Sequence, residues 1–153
     1  MIVPDPIVQF LQGPVVSYVG TRNEKLRPHV QGTAGSFGAS GSDTVTFFLP
    51  EVESEQTLDN LRRNGQLSFT VADGPTHQSF QLKGRFKAAR AGTAAEAARQ
   101  AAYIAALTVR LRPMLPDEAI MGFIFTPFLA VTFQVESIWD QTPGPKAGGR
   151  VGE

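Results

Sequence analysis

Apolar and polar side chains alternate through three separate stretches of this sequence, a pattern typical of strands that bury one face. The stretches are residues 66–73, 77–86 and 128–136. In the first, Leu67, Phe69 and Val71 are expected to point inward. The second has Lys83 on its polar face, which meets either solvent or a binding site. The 15 glycines and 11 prolines fall between patterned stretches, as turns between strands require.

The composition predicts one globular domain and excludes several kinds of partner. The 153 residues are 42% hydrophobic and carry 14 basic and 14 acidic side chains, so we expect no nucleic-acid partner. Without cysteine, the chain has no disulfide or thiolate metal site. The most apolar run, 121–133, is too short to span a membrane, and the N-terminus lacks a signal-peptide pattern. We therefore expect a cytoplasmic protein with no membrane partner.

Three segments carry helix signals. Asp5 and Pro6 predict a short helix that ends at Gln12. Ser54 is a candidate cap for a second helix, which Gly65 ends. Thr93 and Glu96 form a capping box that opens the longest helix. The expected buried stripe of that helix is Ala97, Ala101, Ile104, Thr108 and Leu111.

Residues 26–50 read as two strands joined by a loose turn, and with the preceding strand they predict a meander. On the first of the two strands the period of two separates a polar face from a core face. The polar face would carry Arg27, His29, Gln31 and Thr33, and the core face Leu26, Val30 and Ala34. An arginine on a sheet, followed by a helix start, is an arrangement that suits a phosphorylated ligand.

Together these elements predict an α+β, mainly β, protein: a six- to seven-stranded antiparallel barrel with peripheral helices. Residues 1–141 would form the single domain. The tail, 142–153, shows no pattern, and we expect it to be mobile or ordered only against a partner.

Several short motifs in this order resemble one known family. They are RPHVQG at 27–32, FFLP at 47–50 running into SEQTLDNLRRNGQLSF at 54–69, QLKG at 81–84 and ESIWDQTPGP at 136–145. The chain resembles the pyridoxamine 5'-phosphate oxidase-like FMN-binding split barrels, and among them small bacterial flavin-binding proteins rather than the oxidase itself. The resemblance covers most of the chain.

The resemblance implies a homodimer that binds FMN where the two subunits meet, and it assigns site residues by position. Arg27 would hold the FMN phosphate, and His29 and Val30 would lie beside the isoalloxazine. Phe48 and Leu49 match the strand end that passes along the flavin. Trp139 matches an aromatic residue that reaches the cofactor of the other subunit.

The chain departs from the oxidase pattern where that pattern has an arginine-lysine pair for the phosphate, because Glu51, Glu53 and Glu55 occupy this region. Carboxylates repel a phosphate dianion. We therefore expect Arg27, Lys83 and the backbone amides around Thr57 to hold it instead.

The predicted function is that of an FMN-dependent oxidoreductase acting on an unknown small substrate, with no catalytic side chain required because the flavin supplies the chemistry. Activity on pyridoxamine 5'-phosphate is not expected, since the oxidase's Arg-x-His tail is absent from residues 145–153. The alternatives are a non-catalytic flavin carrier or sensor, and a barrel that binds haem or no cofactor. His29 and His77 are interpreted as ordinary polar residues, and no metal site is predicted.

Overall fold

A computed structural model gives the fold and describes residues 1–122 and 126–152. Four helices and eight strands lie within these residues. The helices are α1 (Asp5–Leu11), α2 (Glu55–Asn64), α3 (Ala94–Leu111) and α4 (Asp117–Met121). The strands are β1 (Val16–Arg22), β2 (Pro28–Thr33), β3 (Ser36–Gly38), β4 (Thr44–Pro50), β5 (Gln66–Ala72), β6 (Ser79–Ala91), β7 (Phe128–Asp140) and β8 (Gly149–Arg150).

The strands form one antiparallel sheet that closes into a barrel. Their order is β2-β1-β5-β6-β7-β4-β3, and β8 pairs with β7. The strands at the two ends of this order, β2 and β3, are consecutive in the chain and are separated by Ala34 and Gly35. The Ala34 amide donates to the Phe48 carbonyl, and the Phe48 amide to the Gly35 carbonyl, each at 3.1 Å. These bonds join the ends of the sheet, and the predicted α+β split-barrel class is confirmed.

The barrel interior is filled by the side chains that the alternating pattern predicted. Leu67, Phe69 and Val71 of β5 are buried, and Phe69 stacks on Phe47 with ring centroids 4.9 Å apart. Phe133 packs against both rings at 5.9 Å. Alternation located these strands correctly because each of them buries an apolar face.

The meander prediction for the first strands was wrong. β2 does pair with β1, but the following strand, β4, pairs with β7 and with the short β3. The chain turns at Gly35, where φ is +95°, and crosses from one edge of the sheet to the other. Only two residues separate β2 from β3, so the sequence shows no long connection there. For this reason the pattern did not indicate that the chain pairs with a different strand after the turn.

The predicted faces are reversed within β2, although Ala34, which follows the strand, is buried as predicted. Val30 is 65% exposed and Leu26 is 70% exposed, whereas Thr33 is buried. The register with β1 places Thr33 opposite Ser17 and Gln31 opposite Val19, so the polar side chains face inward. The Thr33 hydroxyl has a partner there, because it lies 2.5 Å from that of Ser17. Periodicity misled here because this part of the interior is polar.

The helices begin and end near the predicted residues, with changes in their capping. The capping box of Thr93 and Glu96 is confirmed, and so is the left-handed stop at Gly65. Asp5 was wrongly expected to cap α1, whose N-cap is Pro4. The Ser54 hydroxyl donates to the Pro50 carbonyl and makes no cap bond to α2.

The long helix α3 packs against the outward face of the barrel. Tyr103 and Leu107 contact Ala34 and Val16, and the Tyr103 hydroxyl donates to the Val15 carbonyl at 2.6 Å. The predicted stripe was partly wrong, because Ala97 and Ala101 are exposed. The buried side chains of α3 are Glu96, Gln100, Tyr103, Ile104, Leu107 and Leu111.

The C-terminal tail folds back on its own chain, which corrects the expectation that it is mobile or ordered only against a partner. Strand β8 pairs Arg150 with Trp139, and the Val151 amide donates to the Ile138 carbonyl at 2.9 Å. Val151 packs against the barrel core. A strand predicted at 122–125 lies largely outside the described residues, and Gly122 itself follows α4. No helix in the described ranges is long and apolar enough to cross a membrane.

Candidate functional site

A groove of about 480 Å³ lies on the outward face of the sheet, at the end that α3 leaves uncovered. One row of paired residues forms its floor. Val30 of β2 lies opposite Gly20 of β1, Gly20 opposite Ser68 of β5, and Ser68 opposite Lys83 of β6. Directly paired residues in a sheet point to the same side, so all four face outward. We call this the outer groove.

Two cations, Arg22 and Lys83, line the outer groove, and within the described ranges the Lys83 ammonium is the one that makes no hydrogen bond to the protein. Arg22 binds the Gln66 side-chain carbonyl through Nε at 3.1 Å and Nη2 at 2.7 Å, and Arg85 pairs with Glu136 at 3.3 Å. Within the described ranges no carboxylate lies within ion-pair distance of Lys83. A lysine so placed attracts an anionic group.

Trp139 lies beside Lys83 on the outward face of the sheet, outside the lining of the groove itself. The Lys83 Nζ lies 5.2 Å from the centroid of the indole ring, within cation–π range. The indole Nε1 donates to the Ser137 hydroxyl at 3.0 Å, which fixes the ring orientation. The structure thus brings Val30, Lys83 and Trp139 to one face of the sheet.

His29 also borders the outer groove, but its ring belongs to the opposite face of β2, where it is paired with Thr21. Its Nε2 is buried and has no hydrogen-bond partner in the described part of the chain. An unpaired buried nitrogen is costly, and this one lies on the inward side of β2.

Thr57 lies on the other side of the sheet from Lys83. Its hydroxyl donates to the Gln31 side-chain carbonyl at 2.5 Å, and the Gln31 amide nitrogen donates to the Ser54 hydroxyl at 2.9 Å. Both Ser54 and Thr57 are fully buried. Because Gln31 points inward and Lys83 outward, the start of α2 and Lys83 do not meet at one ligand group.

The open surface at the start of α2 is acidic, and Glu53, Glu55 and Asp59 line it. Carboxylates beside a helix N-terminus cancel the attraction that its amides offer to an anion. The outer groove, with its lysine, should therefore attract a phosphate, whereas this acidic surface should repel it.

The remaining predicted residues lie away from the outer groove. Arg27 is exposed in the turn before β2, where its backbone amide donates to the Asn23 side chain at 3.0 Å. Phe48 is fully buried between Phe37 and Phe128. Leu49 is fully buried in the barrel core. Neither of these two side chains lines the groove of its own chain.

Gly20 and Ser68 are groove residues that sequence reasoning did not single out. The alternation of 66–73 placed Ser68 on the outward side, which was a usable signal. Their position between Val30 and Lys83 follows only from the registers of β1 with β2 and β5, which the sequence does not show.

The fold resembles several solved structures over most of the chain. HupZ from Group A Streptococcus gives a TM-score of 0.58 at 15% identity, covering 96% of this chain and 100% of that one. An FMN-binding protein from Syntrophomonas wolfei gives 0.54 at 10% identity, covering 88% and 86%. An F420 reductase gives 0.53 at 14% identity, covering 89% and 98%. At such identities the likeness shows a common fold.

A comparison with curated protein sequences found no match. The family model described as pyridoxamine 5'-phosphate oxidase matches residues 3–130, which is most of the chain and includes Val30 and Lys83. Trp139 and strand β8 lie beyond the matched range. The sequence-based resemblance is thereby confirmed, and the chain belongs to the pyridoxamine 5'-phosphate oxidase family.

Proposed function

We propose that the protein binds FMN in the outer groove and acts as an oxidoreductase on a small substrate. One observation supports the proposal most directly. Val30 and Lys83, two predicted cofactor residues, line the same groove, and the chain belongs to the pyridoxamine 5'-phosphate oxidase family. The FMN-binding protein from Syntrophomonas wolfei, which shares the fold, supports the choice of cofactor.

The residues of the outer groove fit FMN in size and chemistry. Its volume of about 480 Å³ lies in the range of small-molecule sites. The Lys83 ammonium would hold the phosphate, and Arg27 is given no contact to it, because it lies away from the outer groove. Val30 offers an apolar contact to the ring, and His29 is given no contact to it, because its ring lies on the opposite face of β2. The amides around Thr57 are left out of this proposal, because they lie across the sheet from Lys83.

When bound, FMN would supply hydride or electron transfer, and the protein would orient the ring and tune it by hydrogen bonds. The side chains of the outer groove have binding roles in this proposal. Lys83 neutralises the phosphate, and its contact with Trp139 restricts where the ammonium can go. Val30 excludes water from one side of the ring.

We also propose that the working form is a homodimer in which a second copy covers the outer groove. The support is the apolar surface beside the groove, where Val30 is 65% exposed and Tyr18 is 43% exposed. Exposed apolar groups next to a ligand groove are typical of an interface. Equilibrium sedimentation should give twice the chain mass of 16.5 kDa, and a monomer at all concentrations would contradict this part.

An absorption spectrum of the purified protein is the first test of the cofactor. Flavin bands, or saturable quenching of added FMN fluorescence, are the expected result. A Soret band would favour the haem alternative, and absence of any FMN binding would reject the proposal. Enzyme and carrier are then separated by reducing the bound flavin with NADH or NADPH and measuring its reoxidation by added acceptors.

A further inference from the structure

Gly20 leaves the floor of the outer groove without a side chain at one position. The backbone conformation there does not require glycine. Gly20 lies within β1, paired with Val30 on one side and with Ser68 on the other. Its φ is not among the positive values of the chain, so an L-residue could adopt the same backbone. Glycine inside a paired strand weakens the strand, and it often marks a place where a ligand approaches the backbone closely.

The space above Gly20 distinguishes it from the other glycine of the groove. At Gly84, an added Cβ would lie 2.0 Å from the Gln134 carbonyl oxygen, so the sheet itself excludes a side chain there. At Gly20 it would meet the Ser68 Oγ at 2.7 Å, and the next atom, the Ser68 carbonyl oxygen, only at 3.8 Å. A serine hydroxyl can rotate away, so packing within the protein does not explain the glycine.

We infer that Gly20 is a specificity-determining residue that keeps the floor flat for a planar ring system. Val30 lies one strand from Gly20, and Lys83 lies two strands away on the other side, about 10 Å by the spacing of paired strands. A ligand with its ring over Gly20 would therefore have an anionic group on a flexible arm at Lys83. This inference rests on the proposed function, for which FMN is such a ligand.

Four variants test the inference by fluorescence titration with FMN and with riboflavin, which has the same ring and no phosphate. Gly20→Ala should raise the Kd for both ligands by the same factor, about tenfold or more. Lys83→Ala should raise the Kd for FMN and leave that for riboflavin unchanged. Gly38→Ala, in a strand away from the groove and with contacts no closer than 3.5 Å, should leave both at the wild-type value.

The double variant Gly20→Ala with Ser68→Ala separates ligand exclusion from a clash within the protein. In Gly20→Ala alone, the contact with the Ser68 hydroxyl should lower the Tm. Without that hydroxyl the new methyl group has only ordinary contacts, so the double variant should have the wild-type Tm. Its affinity for the ring should stay low. Recovery of both ligands' affinity in the double variant would overturn the inference, as would unchanged affinity in Gly20→Ala. Failure of the wild-type protein to bind FMN is a different result, because it rejects the proposed function as well.

Discussion

Arg110 donates two hydrogen bonds to Asp73, from Nε to Oδ1 at 2.8 Å and from Nη2 to Oδ2 at 2.7 Å. The pair joins the last turn of α3 to the end of β5. Asp73 also accepts bonds from the Thr76 amide and hydroxyl. The hydrogen bonds from Arg110 are the main reason that the pKa of Asp73 falls from 3.8 to about 2, although burial opposes the shift.

This pair should stabilise the fold above about pH 4 and lose its effect in acid. Because the pKa is lowered in the folded state, the unfolded chain takes up the proton first as the pH falls, and the stabilisation disappears between about pH 4 and pH 2. Asp73→Asn should lower the free energy of unfolding by about 1–2 kcal/mol at pH 7, less than the full shift implies because Arg110 is partly solvated.

Urea unfolding of the wild type and Asp73→Asn from pH 7 to pH 2 measures this difference. The two curves should converge at the acid end. Asp59→Asn is the matched control, because Asp59 bonds Arg63 at 2.8 Å with both side chains about half exposed. A constant difference between wild type and Asp73→Asn across this range would contradict the assignment.

The capping box of α3 should be worth a measurable amount of stability. The Glu96 amide donates to the Thr93 hydroxyl at 3.2 Å, and the Glu96 carboxylate accepts from the Thr93 amide at 2.9 Å. Thr93→Ala should lower the free energy of unfolding by about 1 kcal/mol. Thr108→Ala, in the same helix but at a position without a capping role, should have a smaller effect. Equal effects of the two would argue against the box.

Lys83→Ala should weaken FMN binding by about tenfold, because it removes a groove cation that has no carboxylate within ion-pair distance in the described ranges. Lys87→Ala removes an exposed lysine of the same strand outside the groove and serves as the control. The loss should shrink at high salt, where charge attraction is screened. FMN titrations at two ionic strengths measure this, and an unchanged Kd would exclude Lys83 from the site.

Removing the folded-back tail should destabilise the barrel. A chain ending at Ala147 loses the Val151 bond to Ile138, the apolar contacts of Val151 and the cover on the edge of β7. We expect a loss of about 1–3 kcal/mol in unfolding experiments, from the partly buried Val151 side chain and its backbone bond. Light scattering should also rise, since an open strand edge pairs with other chains. A truncated chain with the wild-type Tm would show that the tail is dispensable.

The sequence predicted the parts of this fold whose signals are local. The capping box at Thr93 and the alternation around Phe69 depend on a few neighbouring residues, and both were right. The face of β2 was wrong because Gln31 and Thr33 are paired with polar groups inside the barrel, which a rule based on polarity cannot foresee. The stripe of α3 was partly wrong because Ala97 is small enough to stay exposed.

The candidate site was predictable in its residues and not in its geometry. The family resemblance singled out Val30, and the departure from the family's phosphate-binding pair led to the choice of Lys83. Strand registers bring the two to one groove, with Gly20 and Ser68 between them. Our hypothesis for the phosphate grouped Thr57 with Lys83, although they lie on opposite faces of the sheet. Such a separation depends on which strands pair, and this information is spread over the whole chain.

The two-residue turn at Ala34 and Gly35 links the registers of two strand pairs, β1 with β2 and β3 with β4. In most sheets such registers are set independently of each other. Strand β2 pairs with β1 before the turn, and β3 pairs with β4 directly after it. An inserted or deleted residue at the turn would shift one alignment relative to the other, and a shift of one position exchanges the inner and outer faces of a strand. Changes in chain length should therefore be tolerated poorly in this turn and far better in the longer connection at 39–43.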